Sequence, residues 1–417
     1  MNFCIYGLGS TGRSVINYFK EKNINSYKVW DDNIKKKEDK KIFSKYLDYA
    51  DYIVLSPGIS LNKAKLKKKL IRNKHKIITD LDLFYLFNPK IKSIVVTGTN
   101  GKSTTCKILE HVLKKNKNNV KLGGNIGRPI LNLNVKSQPL VIIEASSFQL
   151  AYSQFIKPDY GIILNITSDH LDWHGSLKNY INSKFKIFSN QNNKNFALLN
   201  NKSLIRKFNK YKFKSKLKFV NTKKFKKIVN RLNNKYLKSE ANIENMSYVY
   251  EICKVLKIKQ KFFIKSIKSF NGLPHRYEIF YKKKNNIFIN DSKATSFEAS
   301  RFALKNNQNI YWIVGGQPKI GDKFSLREIN KNIIKAYIIG NHTNHFKRNL
   351  KNKISFTLSK TLKKAVLSIF QDIHREGREK STILLSPASA SYDQFKNFED
   401  RGNKFKKFTM YYAKKYF

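Results

Sequence analysis

The stretch Ser93-Ile-Val-Val-Thr-Gly-Thr-Asn-Gly-Lys-Ser-Thr-Thr105 decides the fold. Its β-branched run reads as a buried strand, and the Gly-Lys-Ser turn after it opens a helix expected over Thr104–Lys114. Such a layout wraps backbone N–H groups around a phosphate at a helix N-terminus, while Lys102 neutralises charge and Ser103 ligates Mg²⁺. The spacing departs from the Walker A pattern, because Val96 stands where that pattern has its first glycine. A plainer alternative is a glycine-rich strand–helix turn with no ligand, which has no use for a Lys-Ser pair.

A unit of this kind belongs to an α/β fold, and 417 residues suffice for two or three domains with cores of their own. A hydrophobic content of 41% suits a globular chain. No apolar run approaches the ~20 residues of a membrane span, and the opening Met1–Gly7 leads straight into a glycine turn, so neither a span nor a signal peptide is expected. The three cysteines, Cys4, Cys106 and Cys253, show no pairing or metal spacing, which points to a reducing cytoplasm. A net charge of +55 invites a nucleic-acid reading, and Lys202–Lys238 interleaves lysine with aromatic residues. Lysine, asparagine and isoleucine are, however, enriched along the whole chain, as AT-rich codons would make them, whereas a nucleic-acid site would be local. No specific nucleic-acid partner is therefore expected, only weak adhesion at low salt.

Other glycine turns and strands flank the first one. Asn2–Tyr6 reads as a strand that runs into Gly7-Leu-Gly-Ser-Thr-Gly12 and a helix over Arg13–Glu21. A second strand, Tyr27–Trp30, ends at Asp31 and Asp32, close to the ~20-residue spacing of a dinucleotide-binding βαβ unit. Asp51–Leu55 strands into Ser56-Pro-Gly-Ile-Ser60, and the alternation implies a small parallel sheet over residues 1–88. Residues 89–271 add strands at 140–144, 160–165 and 196–200, and Asn271–Arg276 reads as a linker. Beyond it, strands at 287–290, 310–314, 336–339 and 382–385 repeat the α/β pattern.

Chemistry concentrates just after these strands. The turn at Gly7–Gly12 taken alone suggests a nicotinamide enzyme, but hydride transfer has no use for Lys102 and Ser103. Glu144 ends an apolar strand beside the phosphate loop, where it holds Mg²⁺ or caps the next helix. His170, in Asn165-Ile-Thr-Ser-Asp-His170, is a metal ligand or an ordinary hydrogen-bonded histidine. Polar runs also follow strands at Asn290–Thr295 and Ser386–Phe395, where Asp393 is either functional or the cap of a helix reaching Phe408.

Several strings together resemble the Mur ligase family, and within it the members that add D-glutamate: GLGSTGRS, LSPGIS, VVTGTNGKST, GGNIGRP, EASSFQL, NITSDHLDWHGS, GLPHRYE, NDSKAT and LLSPASASYDQFKNFEDRG. They occur in family order over nearly the whole chain, and the Asp-Asn-Pro-Arg signature for diaminopimelate is absent. The resemblance implies three α/β domains: a Rossmann-like UDP-binding domain over 1–88, a P-loop-type ATPase domain with a parallel sheet over 89–271, and a Rossmann-like amino-acid-binding domain over 272–417. It implies an ATP-dependent ligase, monomeric and cytoplasmic, that joins UDP-N-acetylmuramoyl-L-alanine to D-glutamate through an acyl phosphate. Among the residues, it assigns Gly98, Thr99, Asn100, Gly101, Lys102, Ser103 and Thr104 to the ATP phosphates, Asn242 and Asn245 to the adenine, and Arg276 and Asp291 to the phosphates and ribose. Ser103 and Glu144 are implied for one Mg²⁺, and His170 with a carbamylated Lys184, fourteen residues on, for a second. Lys102, His170 and Lys184 are the implied catalytic groups. The nucleotide-sugar peptide falls to Ser10, Thr11, Asp31, Ser56, Gly58, Asn125 and His170, and D-glutamate to Lys293, Thr295, Lys319, Ser391 and Phe398.

Overall fold

Apolar β-branched runs build three sheets, each with the helices that follow its strands packed on its faces. The computed structural model describes residues 1–33, 37–229, 234, 236–237, 239–319, 321–322 and 324–417; the end of the Lys/aromatic stretch, at 230–233, 235 and 238, lies outside the described residues. The first sheet contains β1 (Phe3–Tyr6), β2 (Tyr27–Trp30), β3 (Tyr52–Leu55) and β4 (Ile77–Ile78) in the order β2-β1-β3-β4, all parallel. The second contains β5 (Ser93–Thr97), β6 (Val120–Gly124), β7 (Leu140–Glu144), β8 (Tyr160–Ile163), β9 (Phe196–Leu199) and β10 (Lys216–Phe219). Its order is β10-β9-β8-β5-β7-β6, again parallel throughout, with β5 in the interior. The third contains β11 (Glu278–Lys283), β12 (Asn286–Asn290), β13 (Ile310–Gly315), β14 (Ile333–Ile339), β15 (Phe356–Lys360) and β16 (Thr382–Leu385). Its order is β11-β12-β16-β13-β14-β15, parallel except for the β11–β12 hairpin.

The chain divides into two compact units, Met1–Phe270 and Asn271–Phe417. In the first unit one apolar cluster runs from Phe3 and Ile5 through Leu81 and Phe84 to Val95, Val141 and Ile143, so the first two sheets share a core. Each fully buried side chain of this size contributes about 1.5–3 kcal/mol relative to exposure. The other face of the first sheet closes over Cys4, Tyr6, Trp30 and Phe43. In the second unit Trp312 and Ile338 pack on one face of the sheet, and Tyr311 and Ile339 on the other. Among the described residues no helix is long and apolar enough to cross a membrane.

Two helices begin earlier than their sequence pattern suggests. The first runs Ser10–Glu21 and the phosphate-loop helix Lys102–Lys115, each starting directly at its glycine turn. The last helix runs Phe398–Tyr416 and is capped by Asn397, whose side chain accepts the Asp400 N–H. Asp393 is therefore not its cap; that carboxylate accepts the Asn341 N–H at 3.0 Å.

Candidate active site

The phosphate loop sits at the C-terminal edge of the central sheet, where parallel α/β sheets place their ligands. Val96 of β5 pairs with Glu144 of β7, and Thr97 pairs with Ile163 of β8. Neighbouring strands lie about 4.8 Å apart. Their ends thus bring the loop, Glu144 and the Asn165–His170 segment to one place. Gly98 and Gly101 take φ of +152° and +86°, and a Cβ at Gly101 would run into the Asn245 carboxamide. Lys102 folds back along the loop, its Nζ donating to the carbonyls of Gly98 and Thr99 at 2.8 and 2.9 Å. Ser103 and Thr104 are buried in the first turn of the helix.

A clamp that the sequence pattern does not reveal fixes the loop's shape. The Thr99 N–H donates to the Asn165 carbonyl, and the Asn100 N–H to Asn165 Oδ1, both at 2.9 Å. Thr99 Oγ1 donates to the Thr167 carbonyl at 3.1 Å, accepts the Thr167 N–H at 3.0 Å, and lies 2.9 Å from the Tyr180 hydroxyl. Asn165, Thr167 and Tyr180 are thus positioning residues for the loop.

Glu144 is buried, and its Oε1 accepts from Asn125 Nδ2 at 3.1 Å. Its Oε2 is buried with no hydrogen-bond partner among the described residues. Glu144 is not a helix cap, because Ser146 caps Ser147–Tyr152 by accepting the Gln149 N–H. An orphaned carboxylate oxygen beside a phosphate loop is a hard donor suited to Mg²⁺. Among the described residues no three His, Cys, Asp or Glu side chains group closely enough to hold a metal, so a cation here needs Ser103 or phosphate oxygens as well.

Lys184 is 1% exposed, and its Nζ donates to the Gly98 carbonyl at 2.9 Å while lying 4.5 Å above the Tyr180 ring. Burial, helped by the Lys102 charge and opposed by Asp169, lowers its amine to about 7. His170 adopts φ +52°, is about half exposed, and sits with Nε2 3.4 Å from Asp169 Oδ2. Its ring packs 4.8 Å from that of Phe148. His174, one turn later, is buried with Nε2 3.0 Å from Ser147 Oγ. Burial, then the nearby Lys184 and His170 charges, depress His174 to about 4, so it is neutral at pH 7.

A cavity of about 570 Å³ opens over the ends of the first sheet and reaches the central one. Ser10, Thr11, Asp31, Ser56, Gly58 and Asn125 all line it, together with Asp80, Phe148 and Gln149, which the sequence reading had not singled out. His170 is not on its wall but packs on Phe148, which is. Asp31 Oδ2 accepts the Leu8 N–H at 2.7 Å and Oδ1 the Asn33 N–H at 2.9 Å, which together hold its carboxyl below the usual range. Ser56 Oγ donates to the Gly7 carbonyl at 2.9 Å, and a Cβ at Gly12 would collide with that same carbonyl.

The remaining candidates fall in two places. Asn245 is buried against Gly101 and donates to Asn242 Oδ1 at 3.3 Å, while Asn242 Nδ2 donates to the Tyr236 carbonyl. In the second unit, Asp291 is buried and accepts from Ser386 Oγ at 2.7 Å and the Tyr277 N–H at 3.0 Å. Burial pushes its carboxyl up to about 7, against the lowering effect of those bonds and of Arg276. Lys293 Nζ lies 4.4 Å above the Phe398 ring, Ser391 is buried, and Thr295 and Lys319 are exposed. Arg401, fully buried, donates to Ser292 Oγ and to the carbonyls of Ser292, Ser389 and Ala390, so it ties the loop of Lys293 and Thr295 to the loop of Ser391. Nothing in the local sequence marks that arginine out, because its partners lie 11 to 109 residues away.

Comparison with known proteins matches residues 1–79 to the Mur ligase MurD-like N-terminal domain and residues 96–271 to the Mur ligase middle domain. UDP-N-acetylmuramoylalanine–D-glutamate ligase of Wolbachia sp. subsp. Brugia malayi is 35% identical over 96% of this chain and 94% of its own. The Rickettsia prowazekii protein of the same name is 34% identical over 96% of both chains. Among solved structures, MurF ligase from Thermotoga maritima in complex with ADP superposes with a TM-score of 0.57 at 16% identity, over 92% of this chain and 94% of that one, a likeness of fold.

Proposed function

The chain belongs to the Mur ligase family, among the UDP-N-acetylmuramoylalanine–D-glutamate ligases, and from that premise we propose how its residues carry the reaction. It is an ATP-dependent ligase of peptidoglycan precursor synthesis that joins the alanyl carboxylate of UDP-N-acetylmuramoyl-L-alanine to the amine of D-glutamate. The carboxylate takes the γ-phosphoryl group of ATP to form an acyl phosphate, and ADP leaves with the electrons of the broken P–O bond. The neutral amine of D-glutamate then attacks the carbonyl carbon and sheds a proton to solvent, an amide forms, and inorganic phosphate leaves with the electrons of the broken C–O bond. No covalent bond to the protein is required, so catalysis rests on positioning and on charge stabilisation.

The observation that carries this reading is the convergence of the clamped loop, Glu144 and the buried Lys184 on one edge of the central sheet. Gly98, Thr99, Asn100, Gly101 and Thr104 cradle the ATP phosphates through N–H and hydroxyl groups, and Lys102 swings from the loop carbonyls to the phosphoryl oxygens. Asn242 and Asn245 would face the adenine, and Arg276 and Asp291 the phosphates and ribose of ATP. Ser103 and Glu144 would hold one Mg²⁺, and His170 with a carbamylated Lys184 a second; bound there, Mg²⁺ would supply charge neutralisation for the phosphates. The lysine's burial supports carbamylation. A neutral amine adds to CO₂ through its lone pair and sheds a proton, and an amine lowered to about 7 is about half neutral at pH 7. The modification converts a buried cation into an anionic oxygen donor.

The substrate UDP-N-acetylmuramoyl-L-alanine occupies the 570 Å³ cavity against Ser10, Thr11, Asp31, Ser56, Gly58 and Asn125, with His170 beyond Phe148. Lys293, Thr295, Lys319, Ser391 and Phe398 take D-glutamate, whose carboxylates suit two lysines and a hydroxyl. Residues 1–88, 89–271 and 272–417 act as three domains, one for each of the nucleotide sugar, ATP and the amino acid. The enzyme works as a cytoplasmic monomer, a setting that suits three buried free cysteines. Phosphate release from ATP and Mg²⁺ tests the whole reading across a panel of D- and L-amino acids. Release should require both UDP-N-acetylmuramoyl-L-alanine and D-glutamate; release with another amino acid alone would overturn the specificity.

A further inference from the structure

Asp80 lines the 570 Å³ cavity but belongs to neither glycine turn. It follows β4, and the strand order β2-β1-β3-β4 maps the cavity's length. Asp31 follows β2, the Gly7–Gly12 turn follows β1, Ser56 and Gly58 follow β3, and Asp80 begins the helix after β4. At about 4.8 Å per strand, Asp80 stands roughly 10 Å beyond the glycine turn. That turn, at the start of a twelve-residue helix, is the place for the anionic pyrophosphate. Two strand positions from the turn, Asp80 faces the sugar–peptide end, which carries hydroxyl and amide N–H donors besides the alanyl carboxylate. Asn125 and Gln149, which reach the cavity from the ends of β6 and β7 close to Glu144, mark the same end.

Asp80 is held ready as an acceptor. Gln149 Oε1 accepts the N–H and the hydroxyl of Ser146, both at 3.1 Å, which settles the orientation of its carboxamide. Gln149 Nε2 is thereby turned to Asp80, 3.2 Å from each carboxylate oxygen. Asp82 offers the contrast, since it is engaged by the N–H groups of Thr79, Gln154 and Phe155 and the hydroxyl of Ser153. Among the described residues, Asp80 has only the Gln149 amide and the N–H groups of its own turn, against about four lone-pair positions. Burial and the Asp82 charge raise it to about 6, as befits a carboxylate short of donors.

We propose that Asp80, held by Gln149, is a specificity-determining residue that accepts a hydrogen bond from a neutral donor, a hydroxyl or amide N–H, on the sugar–peptide half of the UDP-linked substrate. This rests on the functional reading above. A substrate without that donor would leave a buried acceptor unpaired, and such a site rejects the wrong ligand strongly.

Calorimetric titration of the full chain with UDP-N-acetylmuramoyl-L-alanine, and separately with UDP, tests the assignment in wild type and Asp80→Asn. The substitution keeps the shape and replaces one acceptor oxygen by a donor. The expected result is binding of the full substrate weakened about tenfold or more, with UDP binding unchanged. In turnover, KM for this substrate should rise while KM for ATP and D-glutamate stays put. Equal binding of the full substrate by both proteins would overturn the inference alone. A parallel loss of UDP binding would overturn it too, since Asp80 would then act on the fold of the cavity. No binding by wild type would overturn the functional reading and, with it, this one.

Discussion

The turn after β1 and the turn after β5 share a backbone plan and differ in where their charge lies. Each joins a buried parallel strand to a helix that begins at once, and each relies on glycine where a side chain would strike backbone or a packed amide. At the first, Asp31 accepts the Leu8 N–H and the Arg13 guanidinium donates to the Leu8 carbonyl at 3.2 Å, so a carboxylate and a cation share the turn. At the second, Lys102 lies along the loop, Lys184 is buried behind it and Glu144 stands on the neighbouring strand. Glycine geometry thus makes a phosphate-sized concavity in both places, while the flanking charge decides its use. One is suited to a nucleotide whose phosphates are spectators, the other to phosphates that react.

The largest test removes the buried amine. Lys184→Ala should lower kcat for phosphate release by at least about 10³-fold, and bicarbonate should not restore it. Turnover near the wild-type level would erase the main difference between the turns. The same lysine predicts a pH dependence in wild type. Its neutral fraction rises about tenfold per pH unit below its value of about 7, so at equal dissolved CO₂ the CO₂-stripped enzyme should reactivate faster at pH 8 than at pH 6. Glu144→Ala comes next. It should cost about 10²–10³-fold in Mg²⁺-dependent turnover, while thermal melting stays level or rises, because an unpartnered buried carboxylate oxygen is removed.

Both turns were legible in the sequence because their chemistry is local, spelled in a few consecutive residues after an apolar run. The interior strands were legible for the same reason, being buried on both faces. The strands that the pattern missed, β4, β6, β10, β11 and β15, are all sheet edges, where one side needs no partner and polar residues such as Lys216 and Lys218 are tolerated. What the sequence hides is contact across distance. Lys184 is one of many lysines until folding places it against Gly98, 86 residues away. The Asn165–Thr167–Tyr180 clamp, Arg401 and the Asp80–Gln149 pair are invisible for the same reason.

A smaller effect separates the turns by their glycines. Gly12→Ala puts a Cβ into the Gly7 carbonyl, and should destabilise the first unit by about 1–3 kcal/mol and weaken binding of the UDP-linked substrate. Gly101→Ala meets a side-chain amide and a φ of +86°, for a similar cost of about 1–2 kcal/mol, but should weaken ATP instead. Thermal melts with each ligand in turn would show the crossing. Protection by both ligands lost in both variants would mean that the turns form one site.

The smallest effect is expected at Asp31. Its two carboxylate oxygens take one N–H each, from Leu8 and Asn33, so Asp31→Asn keeps one acceptor and loses the other. Binding of the UDP-linked substrate should weaken by a factor of about 3–10, as for one modest hydrogen bond, with ATP affinity unchanged. The sign of its pH dependence follows from the lowered carboxyl: its contribution is complete above the ordinary carboxylate range and fades only as pH falls through the lowered value. The ratio of wild-type to variant affinity should therefore be flat between about pH 6 and 9, the window in which Lys184 changes state. A ratio that varied there would mean that the carboxylate of the first turn senses the chemistry of the second.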